Sequence, residues 1–157
     1  MRASLSRFSS MLFNIEDPGE PCVLGVTSCY MDQLALRIAS GWNHWDLRIC
    51  PTVESALVVR ENFRVSVIIY DLDTRDSHWR MGLRLLLSVG NPACLIALTD
   101  SLSDGLVRTM LEYGAYDVQS KPLRNNSGLA ESVNGAHRLI QSCNSSSVLE
   151  ARFPSSK

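Results

Sequence analysis

Short apolar runs recur along this chain, and each is followed by a stretch whose apolar residues return every three or four positions. The runs are CVLGVT (22–27), DLRIC (46–50), VSVIIY (65–70), CLIALT (94–99) and YDVQS (116–120). Strands that are apolar without interruption are buried on both faces, and this is how a parallel sheet covered by helices reads. The helical stretches agree in period. MDQLALRIASGW carries Met31, Leu34, Ala35, Ile38 and Ala39 as its stripe. TVESALVVREN offers Thr52 as N-cap and Val53, Ala56 and Leu57 on one face. SHWRMGLRLLLSVG places Trp79, Leu83, Leu86 and Leu87 together, with Gly90 as the stop. SLSDGLVRTMLEYG has Ser101 three residues before Asp104, a capping-box pattern. Its stripe is Leu106, Val107, Met110 and Leu111, and Gly114 suits the C′ position. NNSGLAESVNGAHRLI closes the series with Leu129, Val133, Ala136, His137 and Ile140.

Five rounds of strand then helix predict an α/β fold of the flavodoxin-like, doubly wound type. The expected sheet is five-stranded and parallel in the order 2-1-3-4-5, with helices on both faces. Residues 1–20 end in EDPGEP and read as a flexible lead-in, residues 21–141 as the folded domain, and the serine-rich residues 142–157 as a flexible tail.

Composition narrows the function classes. Of 157 residues, 45% are hydrophobic and 20% charged, and the net charge is −1, so no general attraction to nucleic acid or anionic membrane is expected. No apolar stretch reaches the roughly 20 residues of a membrane span. The N-terminal MRASLSRFSSMLF lacks a continuous apolar core of the secretory kind, so a cytoplasmic protein is expected. Cys22, Cys29, Cys50, Cys94 and Cys143 are odd in number and none pairs as CxxC, which argues against a disulfide framework or a zinc site. His44, His78 and His137 stand apart, as surface or packing residues. Trp42, Trp45 and Trp79 read as core or edge packing.

In a sheet of this order the site lies at the carboxyl ends of the strands. Strand 1 ends at Thr27 and Ser28, strand 3 at Asp71, strand 4 at Thr99 and strand 5 near Lys121 and Pro122. An aspartate, a hydroxyl and a lysine at one edge suit phosphoryl transfer to a carboxylate. Asp71 would be the nucleophile, Thr99 would bond a phosphoryl oxygen and Lys121 would offset developing charge. Pro122 is a candidate for a cis peptide bond.

From about residue 21 to residue 141 the chain resembles a receiver domain of the two-component response regulators, the CheY-like family. VIIYD matches the strand that ends in the phosphoacceptor, CLIALT the strand that ends in the switch Thr/Ser, and EYGAYDVQSKP the family's GAxDYLxKP segment, the most specific piece. The resemblance implies a response regulator without an output domain, acting in phosphorelay signal transduction and not as an enzyme. Asp71 would be the phosphoacceptor, Thr99 the switch hydroxyl and Lys121 the invariant lysine. The implied partners are a histidine kinase or another signalling protein, with homodimerisation through the helix 4, strand 5 and helix 5 face. The chain also departs from the family. The acidic pair that holds magnesium is replaced by Thr27 and Ser28. Mg²⁺ would therefore be held weakly, by Asp71 and the backbone carbonyl of Asp73. Val118 stands where the rotating aromatic belongs, with Tyr116 two residues earlier. TRDSHW replaces the loop MPxxDG.

Other readings stay open. One is an interaction module that works without phosphorylation. Another rests on YDLDT, which resembles the DxD motif of haloacid-dehalogenase-like phosphatases, although here it lies on the third strand and no later acidic pair follows. TSCYMD has the hydroxyls of a flavodoxin phosphate loop but no glycine.

Overall fold

Branched side chains on consecutive residues crowd a helix and fit a pleated surface, and the apolar runs accordingly form strands. The structure is a computed structural model that describes residues 19–73, 78–123 and 126–152. In chain order the elements are β1 (Cys22–Val26), α1 (Tyr30–Asn43), β2 (Asp46–Cys50), α2 (Val53–Asn62), β3 (Val67–Asp71), α3 (Trp79–Ser88), β4 (Cys94–Thr99), α4 (Asp104–Glu112), β5 (Asp117–Ser120) and α5 (Asn126–Arg152). The strands form one parallel sheet in the order β2-β1-β3-β4-β5. This is the doubly wound, flavodoxin-like topology read from the sequence.

Alternation along the central strands sorts the core into two layers. Leu24, Ile68, Tyr70, Leu95 and Ala97 pack with Ala56, Leu83, Leu86 and Met110 of α2, α3 and α4. Val23, Val67, Ile69, Ile96 and Leu98 pack on the other face with Leu36 and Ala39 of α1 and Leu129, Val133 and Ala136 of α5. Gly25 lies between these strands' side chains and α1. A Cβ built there would stand 2.9 Å from Leu36 Cδ1, so the glycine sets how closely α1 approaches the sheet.

Local signals hold at several ends and fail at others. Thr52 caps α2, its side chain accepting from Ser55 N. Gly90 (φ 75°) and Gly114 (φ 89°) take the left-handed backbone just beyond α3 and α4, which glycine adopts without strain. Three expectations are corrected. The cap of α4 is Ser103, which accepts from Leu106 N, because α4 begins at Asp104 and the cap must immediately precede it. In α1 the buried residues are Asp32, Leu36 and Ala39, whereas Met31, Leu34 and Ile38 of the predicted stripe are exposed, as is Trp42. The last helix continues to Arg152, through residues assigned to a flexible tail; Ser142 and Ser145 donate back to the carbonyls of Arg138 and Gln141 and so fit the helix. Of the lead-in, residues 1–18 lie outside the described residues.

Candidate functional site

β3 is buried along its whole length and ends in Asp71, itself buried. A carboxylate cannot stay there without donors. Three reach it. Thr27, the residue after β1, donates its Oγ1 hydroxyl to Asp71 Oδ2 at 2.9 Å. The Asp73 amide donates to Oδ1 at 2.9 Å, and Lys121 Nζ to the same oxygen at 2.8 Å. Thr27 is fixed in turn: its hydroxyl accepts from Cys29 N and its carbonyl from Gln33 Nε2. Ser28 is exposed.

Lys121 follows β5. Its amide bonds Thr99 O, and its peptide bond to Pro122 is cis. The ammonium meets three carboxylates: Asp71 at 2.8 Å, Asp32 at 2.9 Å and Asp73 at 2.9 Å. An ammonium has three N–H donors, so each finds one acceptor. Burial alone would lower the Lys121 pKa. Hydrogen bonds to Asp71, Asp32 and Asp73 outweigh it and hold the group above the ordinary lysine value.

Asp32 is the member that spacing does not reveal. It sits in the first turn of α1, where a carboxylate is favoured by the helix's positive end, and it is buried toward the site. Asp73 takes a larger part than a backbone carbonyl. Its side chain accepts from the Thr99 hydroxyl at 3.0 Å, from the Asp100 amide at 2.6 Å and from Lys121. Burial pushes its pKa up, but the bonds from Lys121, Asp100 N–H and Thr99 prevail and leave it below the usual value. Thr99 therefore lies against Asp73, with Ser101 N bonding its oxygen. Val118 is half-buried against the core, and Tyr116 precedes β5, exposed, beside Gly135 of α5.

Three carboxylates against one ammonium leave the cluster formally at −2. The donor set does not suit magnesium, which asks for several oxygens free to turn toward it in near-octahedral array. Both oxygens of Asp71 are taken by N–H and O–H donors, and the Thr27 hydroxyl gives its proton to Asp71. Among the described residues no group of three or more His, Cys, Asp or Glu is arranged to hold a metal ion.

The fold is shared with solved structures. A signal receiver domain ascribed to a Luxo repressor protein of Vibrio parahaemolyticus superposes with a TM-score of 0.70 at 22% identity, over 80% of this chain and 96% of that one. This chain has the fold of a response-regulator receiver domain. A response regulator from Thermotoga maritima matches at 0.67 and 17% identity, over 76% of this chain and 99% of that one. A structure described as adenylate cyclase from Rhodopirellula baltica matches at 0.71 and 14%, over 83% and 97%. No protein-family model and no curated protein matches the chain. No helix among the described residues is long and apolar enough to cross a membrane.

Proposed function

We propose that this chain is a receiver-fold signalling module that works by protein–protein contact, with Asp71 fixed in an ion cluster instead of serving as phosphoacceptor. The observation that carries this reading is Lys121 Nζ bonded to Asp32, Asp71 and Asp73 together. Transfer to Asp71 would bring a phosphoryl group, itself negative, to a cluster already at −2. Phosphoryl transfer relies on cations to offset such charge, and Lys121, the one cation paired with these carboxylates among the described residues, is committed to the acids already present. The Asp71 oxygen that would attack must also give up donors it holds in the buried state. The module's output is then a surface and not a turnover.

A phosphorelay role, with a histidine kinase as donor, is the second reading. Asp71, Lys121 and Thr99 at one sheet edge favour it. One experiment separates the two: the chain is incubated with acetyl phosphate and Mg²⁺ and its intact mass is measured. No phosphoryl increment is expected for the natural sequence, and a Thr27→Asp/Ser28→Asp variant, which supplies an acidic pair, should gain one. A modification of the natural sequence that is lost in Asp71→Asn would establish the phosphorelay reading instead.

A further inference from the structure

At the amino ends of the strands, the edge opposite Asp71, lies a second polar cluster. Ser66 immediately precedes β3, which at ~3.3 Å per residue places it roughly 16 Å from Asp71. With His137 of α5 it lines a cavity of about 80 Å³. Ser66 Oγ and His137 Nδ1 are hydrogen-bonded at 2.9 Å, and the two residues are only 5% and 6% exposed. Polar groups are buried at a cost. A buried hydrogen-bonding pair in a cavity wall is what fixes the orientation of a small polar occupant.

α5 changes character here. Leu129, Val133 and Ala136 pack on the sheet, but His137, Gln141 and Asn144 follow at i, i+4 and i+7 and all line the cavity. Two opposite charges complete the wall. Arg64 and Glu20 both line the cavity and both are exposed, so they stand at its mouth, beyond the buried pair. Among the described residues neither makes an ion pair, with the other or with any third group. The Cys22 thiol is also in the wall; burial and then Asp46 hold its pKa above the ordinary thiol value, so it adds no charge. A guanidinium offers a fork of N–H donors to a carboxylate, and a carboxylate accepts from an ammonium. One molecule that carries both charges satisfies both sides of the mouth. Size restricts it further. The cavity exceeds the ~30 Å³ of a water but falls well below the ~300 Å³ or more of a cofactor-sized site. Nucleotides and flavins are too large, and glycine, alanine and serine are of the right order.

We propose that this cavity binds a small α-amino acid, its carboxylate on Arg64, its ammonium on Glu20 and its remaining atoms toward Ser66 and His137. The receiver-fold module then takes a small-molecule input at the edge of the sheet opposite the ion cluster, independently of the reading given to Asp71.

Calorimetric titration of the full chain with glycine, L-alanine and L-serine tests this, with acetate and methylamine as ligands that carry one charge each. At least one of the amino acids should bind saturably. Acetate and methylamine should bind about tenfold more weakly or not at all, and Arg64→Gln and Glu20→Gln should each weaken the amino acid by about tenfold or more, the worth of a charge-assisted hydrogen bond. Both substitutions change exposed side chains, so an unchanged urea midpoint shows that lost binding is not lost fold. Asp71→Asn should bind as the natural sequence does. The proposal is overturned if none of the three amino acids binds, or if acetate binds as tightly as they do. Binding that survives both Arg64→Gln and Glu20→Gln also overturns it, as does binding lost in Asp71→Asn, which would place the ligand at the carboxyl edge.

Discussion

At the scale of single residues, Lys121 decides the character of the site. It is bonded to three carboxylates and only 11% of its side chain is accessible, so removing it strands buried acids without a counter-charge. Lys121→Met is expected to cost about 3–5 kcal/mol, the usual consequence of deleting one side of a buried ion pair. Asp32→Asn should cost much less, because two carboxylates remain to hold the ammonium and like-charge repulsion falls. The pH profile follows from the directions of the shifts. Asp73 has a depressed pKa, so its contribution is present above the unfolded carboxylate value near pH 4 and is lost as pH falls through the folded value. Lys121 has a raised pKa, so its contribution is present below the ordinary 10.5 and is lost as pH rises through the higher folded value. Urea midpoints measured across pH for the natural chain and Lys121→Met should show both losses in the first, and no alkaline loss of this origin in the second.

Elements show which physical signals a sequence carries. The strands are legible because burial on both faces writes an uninterrupted apolar run, as in Val67–Tyr70 and Leu95–Leu98. Helix α1 is legible as a helix, but its inward face is not. Met31, Leu34 and Ile38 give the stronger stripe, yet the inward face is defined by Leu36 and Ala39 and by Asp32, whose polarity hides it from a hydrophobic pattern. The close approach that buries this weaker face depends on Gly25. Gly25→Val should overpack against Leu36 and lose about 1–3 kcal/mol in chemical denaturation. Adding Leu36→Ala should recover part of the loss if that contact is its cause, since neighbouring substitutions couple. The cap of α4 was misread for a simpler reason: Ser101 and Ser103 both precede the helix, and only backbone geometry distinguishes them.

Across the whole molecule, topology does what spacing cannot. Strand order brings the carboxyl ends of β1, β3, β4 and β5 to one edge, so Thr27, Asp71, Thr99 and Lys121 could be placed there from the sequence. Asp32 lies 89 residues from Lys121 and is joined to it only through the way α1 starts over the sheet. The role of the Asp73 side chain was equally hidden, because a turn residue's direction depends on donors from another strand end, here Thr99 and the Asp100 amide. The resulting molecule has a receiver fold whose acidic edge is closed by its own lysine. That claim is tested most directly by titrating the full chain with Mg²⁺ in a calorimeter at neutral pH. The account predicts no saturable binding in the natural sequence. Saturable binding that disappears in Asp71→Asn would contradict it, because Asp71 would then hold a metal that the cluster is argued to exclude.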